Sequence, residues 1–117
     1  MRLYTMPARR DDDVALDVLP PVMGTAEVSV VRVPAGGTLE HPATQHRRII
    51  TVVSGAAVVE AAGHPPVELG PGLLLLWERG EVELTRAVTD LVAVVVDCVG
   101  MLDLAGRYPE VEVVGPR

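Results

Sequence analysis

Glycine and proline interrupt this chain at short, regular intervals, and that punctuation limits what it can fold into. Breaks fall at Pro20-Pro21, Gly24, residues 34–37, Pro42, Gly55, residues 63–66, residues 70–72, Gly80, Gly100 and Gly106. Between them lie segments of roughly 5–9 residues rich in Val, Ile, Leu and Thr, the spacing of an all-β sandwich or barrel. No stretch keeps a helical period over about ten residues. Strands are predicted over residues 14–19, 26–33, 46–54, 57–61, 67–69, 73–77, 81–87 and 91–98, with further segments at 2–6 and 111–114. A short helical turn is expected at 101–105.

At 117 residues the chain is expected to form one domain (1–117) with its barrel core at about 26–97. Composition excludes several functions. Ten basic residues face sixteen acidic ones, for a net charge of −6, and the only basic pairs are Arg9-Arg10 and Arg47-Arg48. Binding phosphates calls for clustered cations, so neither nucleic acid nor an anionic membrane is an expected partner. The longest apolar runs, 73–77 and 91–96, are far too short to span a bilayer. Residues 1–7 lack the apolar core of a secretion signal, and the single cysteine, Cys98, makes no internal disulfide; both point to a reducing cytoplasm. Without lysine the chain has neither Schiff-base chemistry nor a P-loop.

Alternation within the strands assigns faces. Glu27 and Ser29 share one face while Val28 and Val30 share the other, and Val31-Arg32-Val33 breaks the phase, predicting a bulge or burial on both sides. Glu81, Glu83 and Thr85 share a polar face that reads either as an ordinary solvated surface or as part of a site. Residues 73–76 and 92–96 are apolar on both faces, so a second layer or a second subunit must cover them, and a homodimer is expected.

Two segments resemble the paired motifs of the cupin superfamily. The first runs from Gly37 through His41 and His46-Arg47-Arg48 to the Val52-Val53-Ser54-Gly55 strand end. The second runs from Leu69-Gly70-Pro71-Gly72 through Trp77 and Gly80 to Glu83. The resemblance implies an antiparallel cupin-like β-barrel, also described as a double-stranded β-helix or jelly roll, a fold that hosts many chemistries. It also implies ligand positions for a metal, and here the sequence departs from the family. Arg48 stands where the family has its Glu ligand, Glu83 where it has its third His, Leu73 where an Asp follows Pro-Gly, and Ala43 where the second His of the pair would fall. His41 alone stays in register. A site of three His and one Glu is not available at these positions.

In the family's register His46, Arg48, Ile50 and Val52 point into the barrel and Glu83 faces them. A buried guanidinium needs an acidic partner, so an Arg48–Glu83 ion pair is expected where the metal would sit, with His41 or His46 beside it. The expected ligand-binding set is therefore His41, His46, Arg48 and Glu83, with no metal and a small molecule in the barrel. Two alternatives stay open. One is a cupin-type enzyme, an isomerase, cyclase or epimerase in which His46 is the general base. The other is a metal-dependent dioxygenase with His41, His46 and Glu83 as a rearranged set for one divalent ion such as Fe, Mn, Ni or Zn. The remaining candidates read plainly: His64 as a solvated turn residue, Cys98 as a buried small hydrophobe, Trp77 as a core or dimer-interface ring.

Overall fold

The structure, a computed structural model, describes residues 1–11, 13–41, 45–104 and 108–112. In chain order the strands of the first half are β1 (Arg2–Thr5), β2 (Ala8–Asp11), β3 (Val14–Asp17), β4 (Val22–Met23), β5 (Ala26–Val33), β6 (Thr38–His41) and β7 (Arg47–Ser54). The second half gives β8 (Ala57–Ala61), β9 (Val67–Leu69), β10 (Leu73–Trp77), β11 (Glu83–Ala87), β12 (Leu91–Cys98), β13 (Met101–Leu102) and β14 (Glu110–Val111). All the pairing between these strands is antiparallel. The all-β expectation holds. The helical turn does not: residues 101–102 pair with β4 as a strand, and residue 105 lies outside the described residues. Residues 113–114 of the last expected strand, Ala43, Pro42 and Gly106 lie outside them as well.

Two sheets carry the architecture. A six-stranded sheet runs β14-β1-β10-β7-β12-β5, and a four-stranded sheet runs β6-β11-β8-β9. The alternating inward residues of both meet in one apolar core. Ile50, Val52, Leu75, Ala93 and Val95 come from the larger sheet, and Ala57, Val59, Val67, Leu69 and Ala87 from the smaller. At Gly55 the chain turns from β7 into β8 with φ +92°, and an added Cβ would collide with the Asp90 carbonyl oxygen.

The two-sided strands find their second layer within the chain. Leu74, Leu75 and Leu76 are all fully buried, Leu75 against the barrel core and its two neighbours against the outer layer. That layer holds Tyr4 and Met6 from the N-terminal segment and Leu102 and Tyr108 from the C-terminal one, packed on Ile49, Val96 and Cys98. Cys98 is buried as expected, and burial pushes its thiol pKa up.

Strand β5 departs from expectation. Its pairing with β12 is continuous, and the irregularity lies instead between Val92 and Ala93 where β12 meets β7. As the edge strand of the larger sheet it turns Val31 and Val33 inward and leaves Val28 and Val30 on the outside, 62% and 55% exposed. The polar face of β11 is the opposite case. Glu83 and Thr85 point inward and are 3% and 0% exposed, while Glu81 precedes the strand.

Candidate functional site

One end of the barrel holds the buried polar pair His41 and Glu83. Arg48 shares the inward parity of Ile50 and Val52 on β7. Its two cross-strand neighbours are Trp77 on β10 and Asp97 on β12, and both face inward with Leu75 and Val95. A row Trp77-Arg48-Asp97 therefore crosses three strands of the larger sheet. On the smaller sheet His41 of β6 is paired with Glu83 of β11, forming the facing row.

Contacts join the two rows. Arg48 Nε donates to Asp97 Oδ1 at 2.6 Å, and Arg48 Nη1 lies 3.4 Å from His41 Nδ1. The His41 ring packs on Trp77 with centroids 3.9 Å apart and planes tilted by 52°, and the Arg48 guanidinium carbon is 5.9 Å from the Trp77 ring centre. His46 Nε2 approaches the same Asp97 oxygen at 3.6 Å, from a side chain about one-third exposed. Arg47, one residue from Arg48, points the other way and forks onto Glu78 through two 3.0 Å hydrogen bonds at the surface. A register slip would have exchanged the two arginines; the pairing of β7 excludes it.

Burial sets the protonation of the smaller-sheet row. The Glu83 carboxyl is pushed up to about 8, first by burial and then by the nearby Glu81 charge, against the opposing pull of the N-terminal ammonium and Arg48. His41 is pushed down to about 4, first by burial and then by the Arg48 guanidinium, with Asp97 opposing. At neutral pH Glu83 therefore holds a proton and His41 is the neutral imidazole. Arginine only donates hydrogen bonds, so the His41 nitrogen facing Arg48 is the acceptor and Nε2 carries the hydrogen.

Several of these groups have no partner. His41 Nε2, Trp77 Nε1, both Glu83 carboxyl oxygens and Thr85 Oγ1 are buried without a hydrogen bond among the described residues. Each such group costs about 1–3 kcal/mol when left dry. A cleft of about 550 Å³ is lined by two of them, His41 and Glu83, with Glu40, Val82 and Leu84.

The expected Arg48–Glu83 ion pair is not formed. Arg48 spends its charge on Asp97, its direct cross-strand neighbour on the same sheet, while Glu83 is kept neutral by burial. Nor do His41, His46 and Glu83 gather as a metal set; among the described residues no three His, Cys, Asp or Glu side chains do. The chemistry of the donors gives the reason. A divalent cation would have to share the site with a guanidinium 3.4 Å from the His41 nitrogen, and the cation would replace the proton on Glu83 with Arg48 still in place. The residues present do not fit the metal that the cupin resemblance implies. Sequence reading missed Asp97 and the part played by Trp77. The available signal for Asp97 was a lone carboxylate ending the apolar run 91–96 at a position in phase with inward Val95.

Similar solved structures agree on the fold. A cupin superfamily protein from Desulfitobacterium hafniense superposes with a TM-score of 0.59 at 11% identity, over 78% of this chain and 83% of that one. A DMSP lyase from Ruegeria pomeroyi gives 0.55 at 29% identity, over 71% of this chain and 41% of the lyase. A salicylate 1,2-dioxygenase from Pseudoaminobacter salicylatoxidans gives 0.56 at 18% identity, over 64% of this chain and 21% of the dioxygenase. The chain thus spans about two-fifths and one-fifth of those two enzymes. No protein-family model matches the sequence, and no curated protein matches it. The protein has a cupin-type fold, an antiparallel all-β jelly roll. Chains sharing that fold include enzymes as well as proteins without a stated activity. Among the described residues no helix is long and apolar enough to cross a membrane.

Proposed function

We propose that this protein binds a small polar molecule at the end of its barrel without a metal ion. One observation supports the reading above the rest: four side chains no more than 5% exposed keep polar atoms without partners, His41, Glu83 and Thr85 on the paired strands β6 and β11 and Trp77 against His41 from the facing sheet. Buried polar groups are normally paired, and a ligand is what pairs such a set. Arg48, fixed by Asp97, stands where the cupin resemblance puts a metal-ligating Glu. If no metal contributes to folding, prolonged EDTA treatment leaves the melting temperature within about 1 °C. A loss of more than about 5 °C, reversed by adding back Fe, Mn, Ni or Zn, would contradict the reading.

A catalytic role has one observation in its favour. His46, partly exposed, sits 3.6 Å from the Asp97 carboxylate that also holds Arg48, an arrangement in which Asp97 orients an imidazole toward a bound molecule. On this second reading His46 is the general base of a metal-free isomerase, cyclase or epimerase.

The homodimer forms part of the same proposal. Edge strand β5 exposes Val28 and Val30, and Val53 of β7, two strands away, is 59% exposed on the same outer face. Light scattering after size exclusion is expected to give twice the 12.4 kDa chain mass, whereas a single-chain mass at micromolar concentration rules the dimer out.

A further inference from the structure

We infer that the molecule held at the barrel end is uncharged and carries a carbonyl oxygen, which accepts hydrogen bonds from the His41 and Trp77 ring N–H groups. The inference rests on the metal-free binding reading and specifies its ligand. Its first support is the polarity of the unpartnered atoms. The Arg48 contact makes His41 Nδ1 an acceptor, so His41 Nε2 is a donor, and the indole nitrogen of Trp77 is a donor in every state. The two rings lie in contact, 3.9 Å between centroids, so both N–H groups belong to one small region. A ligand acceptor satisfies them together.

Its second support is charge. The guanidinium of Arg48 is already matched at 2.6 Å by Asp97, so an anion arriving here finds no unspent positive charge on that residue. Glu81 stands close enough to act on Glu83, so an incoming carboxylate meets an acidic neighbour. A cation fails because the two ring N–H groups would point their hydrogens at it. What remains is a neutral acceptor. Glu83 and Thr85, both buried, then supply the complementary contacts, each able to donate or accept while Glu83 keeps its proton.

Ring stacking is not the mode of capture, since the Trp77 face is already taken by His41 and approached by Arg48. A small amide, lactam, lactone or ketone meets these requirements.

Trp77 is the only tryptophan in the chain, so its indole N–H gives one resolved signal in a proton–nitrogen correlation spectrum. Titrating the intact protein with 2-pyrrolidinone is expected to move that signal downfield along a saturable curve. The expected Kd is on the order of 1–10 mM, reasonable for so small a probe. Acetate and tetramethylammonium, titrated identically, are expected to bind at least about tenfold more weakly. Saturable movement with acetate or tetramethylammonium but not with the lactam overturns the neutral-carbonyl class and leaves barrel-end binding standing. An indole signal unmoved by all three probes overturns the inference and the binding reading together. A conservative Glu83→Gln variant that retains the lactam response adds support, because the amide also donates and accepts.

Discussion

Replacing Arg48 with methionine is expected to destabilise the fold by about 3 kcal/mol, since the change leaves Asp97 largely buried without its charge partner. The side chains of Arg48 and Asp97 are 15% and 20% exposed, so water screens part of the interaction, and the value sits at the low end for broken buried pairs. Two further contacts go with the guanidinium: the 3.4 Å approach to His41 and the packing over Trp77. Chemical denaturation read as a shift in midpoint at constant slope measures the loss. The double variant Arg48→Met, Asp97→Leu should recover most of it, because exchanging a buried pair for apolar groups is often close to neutral. A coupling between the two sites of less than about 0.5 kcal/mol would show that Arg48 and Asp97 do not act as a pair.

The second large effect is a loss of stability as pH rises, and it belongs to Glu83. Its carboxyl titrates at about 8 in the folded protein against 4.5 unfolded, so the folded state holds the extra proton between those values. Stability that depends on a raised acid is present at low pH and is lost as pH climbs through that window. His41 works the other way. Its value of about 4, against 6.5 unfolded, means that stability is lost as pH falls through that range. Between about 4.5 and 6.5 the two slopes oppose and nearly cancel, leaving a plateau. From pH 6.5 to 8 only Glu83 acts, and the fold should lose about 2 kcal/mol, at about 1.4 kcal/mol per unit. For a domain of this size that lowers the melting temperature by on the order of 8 °C. Glu83→Gln removes the titrating group, so its stability should be flat over the same interval. A wild-type protein and a Glu83→Gln variant with parallel pH profiles above 6.5 would show that Glu83 is not held protonated.

The sequence carried the fold and half of the site. The register implied by the cupin resemblance placed Arg48 and Glu83 inward, where both are found. What alternation does not encode is which inward residues are neighbours. Arg48 and Glu83 lie on different sheets, whereas Asp97 lies next to Arg48 through the pairing of β7 with β12, strands separated by about forty residues of sequence. That pairing also decides the charge of Glu83, for once Asp97 has taken the guanidinium, burial keeps the proton on the remaining acid. The covering of Leu74 and Leu76 was hidden for a related reason. Two apolar faces report that something packs on each side, and the residues that do so, Tyr4, Met6, Leu102 and Tyr108, belong to short terminal segments with little period to read. His46 remained in the site but joined Asp97 at its mouth.

Native mass spectrometry of the protein, purified without chelator, tests the central claim most directly, because one spectrum reads metal and organic ligand together. The account predicts the mass of the polypeptide, alone or with an organic molecule retained, and no increment for a first-row transition metal. A stoichiometric metal ion on each chain, removed together with the organic adduct by chelation, would contradict it.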